Sequence, residues 1–289
     1  MSDLNLAKLI KDLQYLGIGE GDTVVVRASL KAIGRVRREI FLDALLQTVG
    51  PNGNIVSLAF TLPSFIKKAN PGLIFQRNSI SYAGALPNEM LGREGAVRSK
   101  HPICSFVAIG PLASWLMEGH GPQSRPYDPI KKVIQLRGKM LLIGCVESSP
   151  GFTTAHLAEY DVGLQKRIIM PWLSSIWYFN EDGRRRLFRP RDSGLCSMSF
   201  SKFYKFHVEH GFLYSGHVGN AYSIWVPAEQ AYGVERAILE RSPRFNVCGN
   251  PDCFTCNMQR WDRLHRIPIW LIRNSRRIMN RLFSRWVRR

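Results

Sequence analysis

Lysine is missing from the end of this chain. From Cys248 to Arg289 there are ten arginines, no lysine and two acidic residues, Asp252 and Asp262. Acidic residues are scarce throughout, 22 against 40 Lys and Arg, giving a net charge of +18. Such a surface attracts anionic partners and is a poor long-range attractor for polycations. No apolar run approaches the roughly 18 residues of a membrane-spanning helix. The opening Met-Ser-Asp-Leu-Asn-Leu-Ala-Lys has no basic start followed by an apolar stretch, so no secretory leader is expected and cytoplasm is the expected location. Six cysteines in 289 residues do not make a disulfide framework. In a reducing compartment they read as core thiols or ligands. Internal repeats and low-complexity tracts are also lacking.

What remains is globular. A hydrophobic fraction of 45% with 21% charged residues supports a core, in one large α/β domain or two small ones. Leu4, Leu6, Leu9, Ile10, Leu13 and Leu16 recur at helical spacing over residues 3–17, and Gly17 closes that helix. The run from Gly21 to Leu30 reads as a buried strand ending in small polar residues. A helix over 39–49 stopped by Gly50-Pro51 and a strand from Ile55 to Thr61 follow. This βαβ order predicts a mainly parallel sheet with flanking helices. Residues 62–95 read as a long loop with a short helix near Leu86–Leu91, and loops of that length are often functional. Further on, strands are expected at Phe106–Ile109 and Lys139–Val146, and helices at Pro111–Gly119 and Asp128–Leu136. Asp182-Gly183 sits between two short runs as a hairpin signal. Phe200–Leu213 resembles a helix, His217–Val226 a loop entering a strand, and Ala228–Arg241 a helix.

The stretch Gly151-Phe-Thr-Thr-Ala-His-Leu-Ala-Glu-Tyr-Asp161 directly follows the strand Lys139–Val146. Thr153 or Thr154 is placed to cap a helix carrying His156 and Glu159, which share a face at i, i+3. A histidine beside a carboxylate at the end of a buried strand stands where α/β proteins place chemistry. An imidazole oriented by a carboxylate is a general base for an amine or hydroxyl nucleophile. The same spacing also occurs in ordinary surface pairs.

Several collinear segments resemble the aminoglycoside 3-N-acetyltransferase family, also called the antibiotic N-acetyltransferases. They are Gly21-Asp-Thr-Val-Val-Val-Arg-Ala-Ser-Leu-Lys-Ala-Ile-Gly34, Val49-Gly-Pro-Asn-Gly53, and Ala96-Val-Arg-Ser-Lys-His-Pro-Ile-Cys-Ser-Phe-Val-Ala-Ile-Gly-Pro111. Lys139-Met-Leu-Leu-Ile-Gly144, Thr154-Ala-His-Leu-Ala-Glu159 and the weaker Val218-Gly-Asn-Ala221 complete them. The resemblance covers about residues 3–235. It implies a two-lobed α/β fold, acetyl-CoA as donor in a cleft between the lobes, and a primary amine of an amino-sugar or aminoglycoside-like compound as acceptor. It implies His156 as general base and Glu159 as its orienting partner. The donor side would draw on Ser29 and Leu30, Arg98, His101 and Ser105. Backbone N–H groups at the Ser29–Leu30 turn, or the Ser29 hydroxyl, would face an oxyanion or the CoA phosphates, unless Ser29 is an ordinary turn residue. His101 reads as a donor or acceptor contact or as a rigid His-Pro loop anchor. Arg98 reads as a phosphate ligand or as a loop clamp.

The chain departs from the family at two places. Arg27 stands where many members have histidine, putting a permanent cation in the strand that leads to Ser29. The stretch Gly121-Pro-Gln-Ser-Arg-Pro-Tyr-Asp-Pro129 carries Asp128 in place of a serine. With so basic a chain, an amino-sugar on an anionic carrier or glycolipid suits the charge better than a free polycation. A catalytically silent relative acting as a binding or scaffold module at a membrane surface is the alternative.

Residues 236–289 read as a Cys-containing, Arg-rich extension to the 1–235 domain. Cys248, Cys253 and Cys256 have Cys-x4-Cys-x2-Cys spacing with His265 nine positions on, a potential zinc set. The same spacing opens one kind of iron–sulfur run, for which Cys104, Cys145 and Cys196 are candidate fourth ligands. A metal-free loop is the third reading. From Ile267 the tail places Leu271, Ser275, Ile278, Leu282 and Trp286 on one helical face, with Arg273, Arg276, Arg277 and Arg281 around the rest. That pattern suits an interfacial helix on anionic lipid, at the inner face of the cytoplasmic membrane, or a helix packed on its own domain or a second copy. So continuous an apolar face does not suit nucleic acid.

Overall fold

Asn5 accepts the backbone N–H of Lys8 at 2.9 Å and so starts the first helix, α1 (Leu6–Tyr15), whose Leu9 and Leu13 turn inward. The computed structural model describes residues 5–65, 72–167, 173–190 and 196–286. After α1 come strand β1 (Thr23–Ala28), the single turn α2 (Leu30–Ile33), α3 (Arg38–Val49) and β2 (Asn54–Leu58). Gly50 stops α3 with φ 65°, a left-handed conformation that costs glycine nothing. The stretch expected as a long loop with a short helix near Leu86–Leu91 contains β3 (Ser64–Phe65), β4 (Ile74–Phe75) and that helix, α4 (Ala85–Leu91). Then follow β5 (Val97–Arg98), β6 (Phe106–Ile109), α5 (Ala113–Met117), α6 (Pro129–Gln135), β7 (Lys139–Ile143) and α7 (Thr154–Asp161).

The second half supplies β8 (Ser174–Phe179) and β9 (Arg185–Phe188), paired antiparallel across the Asp182-Gly183 turn. A 3₁₀ stretch, Ser197–Phe203, runs into α8 (Tyr204–Glu209), so Phe200–Leu213 is not one helix. β10 (Tyr214–Val218) and β11 (Ala221–Pro227) form a hairpin, which puts His217 in a strand rather than a loop. α9 occupies Ala228–Arg241, as its periodicity predicts. It runs unbroken past position 235, so no structural break falls between 235 and 236. The chain continues with α10 (Phe254–Met258), α11 (Arg266–Arg273) and α12 (Ser275–Trp286). The tail bends at Asn274, where it had read as one continuous face. The side chains of Arg281, Leu282 and Trp286 lie outside the described residues.

Seven strands form the main sheet in the order β10-β11-β7-β1-β2-β6-β5. Its centre, β7-β1-β2, is parallel, and the strands on either side join antiparallel. A second, smaller sheet is built from β3, β8, β4 and β9. The fold is α/β with helices on both faces of the main sheet, and the alternation along β1 shows why. Val24 and Val26 pack with Leu9, Leu13, Phe41 and Leu45 from α1 and α3. Val25 packs on the other face with Leu142, Ile130, Val133 and Leu157. Period-2 exposure of side chains requires this two-sided cover. Each of these side chains is almost completely buried, a contribution of about 1.5–3 kcal/mol apiece before entropy is charged.

The helix carrying the candidate dyad is held on two sides. Leu157 and Tyr160 of α7 face the sheet core, while Ala155 and Ala158 face Phe200, Phe203 and Leu239. Phe245, beyond α9, joins that second cluster. The C-terminal segment therefore contributes to the wall behind α7.

Candidate active site

α7 begins beyond the carboxyl end of β7, at the edge of the parallel core. The connection between them is fixed by Arg27 of β1. Its guanidinium donates to the carbonyl of Ser149 and the carbonyl of Gly151, each at 2.7 Å, and to the Ser149 hydroxyl. Burial lowers the Arg27 pKa, and these carbonyls are what makes a buried cation tolerable. Gly151 has φ 79°, and a Cβ there would collide with that of Phe200, so only glycine fits. Its N–H donates to the Tyr204 hydroxyl at 2.7 Å. Arg27, read from sequence as an anomaly, is the clamp that aims α7.

On α7 the structure brings His156 and Glu159 together. His156 Nδ1 lies 2.8 Å from Glu159 Oε2. The imidazole side chain is 12% exposed and the carboxylate 1%. Glu159 Oε1 accepts a second hydrogen bond from Nδ2 of Asn246. Asn246 Oδ1 in turn accepts from the buried Arg260 at 3.2 Å, and Arg260 grips Asp262 through two bonds of 3.0 and 2.9 Å. With both carboxylate oxygens accepting, Nδ1 carries the imidazole proton and Nε2 keeps the lone pair. The ring is further fixed by stacking on Tyr127, centroids 4.5 Å apart at 12°, and by the edge of Phe200 at 4.7 Å. Neither Thr153 nor Thr154 caps α7 through its side chain. Thr153 occupies the N-cap position without that bond, and among the described residues its buried hydroxyl has no hydrogen-bond partner.

His156 opens onto a cleft of about 470 Å³. Arg27, Ser57, Tyr82, Tyr127, Cys145 and Thr153 are among its lining residues, and among the described residues no carboxylate lines it. Burial pushes the Tyr127 phenol well above its ordinary value, so it stays neutral. Burial also pushes the Cys145 thiol up, against the opposing pull of Arg27, which disfavours it as a nucleophile. A larger groove of about 1140 Å³, between the second sheet and α5, shares no lining residue with this cleft.

The donor-side residues read from sequence do not line the His156 cleft. Arg98 is a clamp. Its guanidinium donates to Ala59 O at 2.6 Å, Thr61 Oγ1 and Ser105 Oγ at 3.0 Å, Arg77 O at 3.2 Å, and Ser79 O. It also lies over the Phe75 ring, which leaves no donor for a phosphate. Ser105 is fully buried and donates to Ala59 O at 2.7 Å. His101 Nδ1 accepts the N–H groups of Cys104 at 2.9 Å and Ile103 at 3.3 Å, so it is the loop anchor of the two readings. Ser29 opens α2 without a side-chain cap, and its N–H donates to Ile143 O at 2.9 Å, which removes that donor from any oxyanion. Leu30 packs against the core. Asp128 is satisfied locally, by Arg125 N at 3.0 Å and Lys131 Nζ at 2.9 Å. What the 121–129 loop brings to the site is Tyr127. Asn246 and Phe200 also escaped the sequence reading, because no local spacing signals a partner that arrives from another segment.

The cysteine cluster differs by one member from the set read in the sequence. The Sγ atoms of Cys196, Cys248, Cys253 and Cys256 lie within 4.8 Å of one another. His265 is exposed at the N-terminal boundary of α11 and does not belong to that group. Cys104 and Cys145, the other candidates, do not join it either.

Fold and dyad together define an α/β protein that presents a carboxylate-held histidine to a small-ligand cleft at the end of its parallel strands. The match to the family model described as aminoglycoside 3-N-acetyltransferase spans residues 25–240, and the chain belongs to that family. It is 34% identical over 172 residues to aminoglycoside N(3)-acetyltransferase VIII of Streptomyces fradiae, covering 53% of this chain and 59% of that relative. The solved structure of the AAC(3)-IVa apoenzyme, an aminoglycoside acetyltransferase, superposes with a TM-score of 0.73 at 22% identity, over 89% of this chain and 96% of that one. The structure of AAC-IIIb as a binary complex with CoASH gives 0.71 at 26% identity, over 86% and 100%.

The buried histidines predict acid lability. Burial and the neighbouring His120 lower His101 to about 3, and burial lowers His120 and His207 to about 4 each. All three are neutral when folded and titrate near 6.5 when unfolded, so the unfolded chain binds more protons below that pH. Their contribution is present above about pH 6.5 and is lost as the pH falls towards 4. Thermal unfolding at pH 5.0 should have a midpoint lower by roughly 5 °C or more than at pH 7.5. An unchanged midpoint would mean these rings are not held neutral.

Proposed function

We propose that the protein is an acetyl-CoA-dependent N-acetyltransferase whose acceptor is a primary amine of an amino-sugar or aminoglycoside-like compound. One observation carries the reading: His156, its Nδ1 2.8 Å from the buried Glu159, lines the cleft, and an Nδ1–H held by that carboxylate leaves Nε2 as the base. Family membership supplies the donor class, and the CoASH complex of AAC-IIIb supports it. In the reaction Nε2 takes a proton from the acceptor nitrogen as that nitrogen attacks the thioester carbonyl. The tetrahedral adduct collapses, the C–S bond breaks, and CoA leaves as a thiol with the proton returned by the imidazole. Glu159 stabilises the imidazolium in between, as a carboxylate does in triad chemistry. The Thr153 hydroxyl in the cleft wall, which has no hydrogen-bond partner among the described residues, is the candidate donor to the developing oxyanion. Burial disfavours a Cys145 thiolate, so this reading takes the transfer as direct from thioester to amine.

The cleft lining narrows the acceptor. Arg27 is part of the wall and no described carboxylate is, which disfavours a highly charged polycation and suits an amino-sugar with few positive charges. His156→Ala should reduce acetyl transfer by about 10²–10⁴-fold. Acetyl-CoA affinity should stay within a few fold. The readout is thiol release over a panel of amino-sugars and aminoglycosides, with calorimetry for binding. Retained turnover would remove His156 from the chemistry.

The tail supports peripheral attachment to an anionic membrane as part of the same reading. Ile269, Leu271, Ile272 and Met279 are 43–76% exposed beside Arg276 and Arg277, an amphipathic basic surface of the interfacial kind. Among the described residues no helix is long and apolar enough to cross a membrane. The full chain should sediment with phosphatidylserine-containing vesicles but not with neutral ones, and truncation before Ile267 should abolish this. Equal sedimentation of the truncated chain would reject attachment through the tail.

A further inference from the structure

Cys196 precedes the 3₁₀ stretch that carries Phe200, whereas Cys248, Cys253 and Cys256 belong to the segment after α9. Folding nevertheless brings their four sulfurs within 4.8 Å of one another, with Cys248 and Cys256 at 3.6 Å. All four are free thiols. A disulfide needs an S–S distance of about 2.05 Å and joins sulfurs in pairs, whereas here four converge on one point. The loop that supplies three of them is prefolded. Asn257 Nδ2 donates to the carbonyls of Cys253 at 2.8 Å, Asn250 at 3.2 Å and Pro251 at 3.3 Å. The Cys256 N–H points at Cys253 Sγ at 3.5 Å, as backbone amides do towards a metal-bound thiolate. Cys248 and Cys256 are 8% and 2% exposed, and Cys196 and Cys253 are half-buried.

We propose that Cys196, Cys248, Cys253 and Cys256 bind one zinc ion as a closed tetrahedral site that staples the C-terminal segment to the wall of the His156 cleft. A Zn–S bond of about 2.3 Å places tetrahedral sulfurs about 3.8 Å apart, and the observed cluster brackets that distance. An iron–sulfur cluster shares its four thiolates among two or four irons, which spreads the sulfurs more widely than one ion does. Four soft ligands with no fifth group select zinc over harder cations. With every position taken by sulfur the ion has no open site, so its role is structural. Its leverage on the dyad is short. One residue from Cys196, Ser197 lines the cleft with Phe200, which abuts His156. Two residues before Cys248, Asn246 donates to Glu159. The site stands independently of the transferase reading.

The test uses the full chain purified without chelator. Elemental analysis should find about one zinc per chain, and the cobalt-exchanged protein should show the visible bands of a tetrahedral tetrathiolate. Cys196→Ser should lose most of the metal, while His265→Ala should keep it. Thermal unfolding of the zinc-depleted protein should shift down. No metal, with all four thiols freely modified in the folded wild type, would overturn the proposal without recourse to any variant. Loss of zinc in His265→Ala, or iron in place of zinc, would overturn the ligand set or the ion.

Discussion

A carboxylate that is 1% exposed cannot stand alone. Transfer of an unpaired carboxylate from water into a protein interior costs several kcal/mol even after relaxation. Glu159 is kept by two partners, His156 on one oxygen and Asn246 on the other. The rest of the site follows from that requirement. The histidine is oriented because the carboxylate needs its N–H. The segment beyond α9 belongs to the wall behind α7 because the carboxylate needs the amide of Asn246. Arg260 and Asp262 fix that amide in turn.

The same logic explains Arg27. Pointed from β1 at carbonyls of the loop before α7, it replaces water as the partner of Ser149 and Gly151 and sets the entry angle of the helix. The proposed preference for an acceptor with few positive charges rests on that cation in the wall and on the lack of a carboxylate among the described lining residues. Cleft electrostatics thus agree with the charge of the whole chain.

Elements with strong local signals were legible in the sequence. The periodicity of Ala228–Arg241 and the β-branched run of β1 place themselves, and Asp182-Gly183 announces its hairpin. His156 and Glu159 were legible because helix geometry alone makes neighbours at i, i+3. Partners from distant segments were not. Asn246 lies 87 residues from Glu159 and carries no motif. Arg98, His101 and Ser105 sit in a conspicuous cluster, yet the Arg98 guanidinium, His101 Nδ1 and the Ser105 hydroxyl are engaged by the loops they hold and by one another. Spacing favoured His265 beside three cysteines. Folding carries that histidine to an exposed helix start and delivers Cys196 instead. Spacing sees only the local half of a site whose other half arrives from elsewhere in the chain.

The central claim is that the buried Glu159 fixes one tautomer of His156. It is tested most directly by nitrogen-15 NMR of the histidine-labelled protein at neutral pH, with His156→Gln used only to assign the signal. His156 should show a protonated, strongly hydrogen-bonded Nδ1 and an unprotonated Nε2. A resonance pair showing the proton on Nε2, or rapid averaging between the two nitrogens, would contradict it.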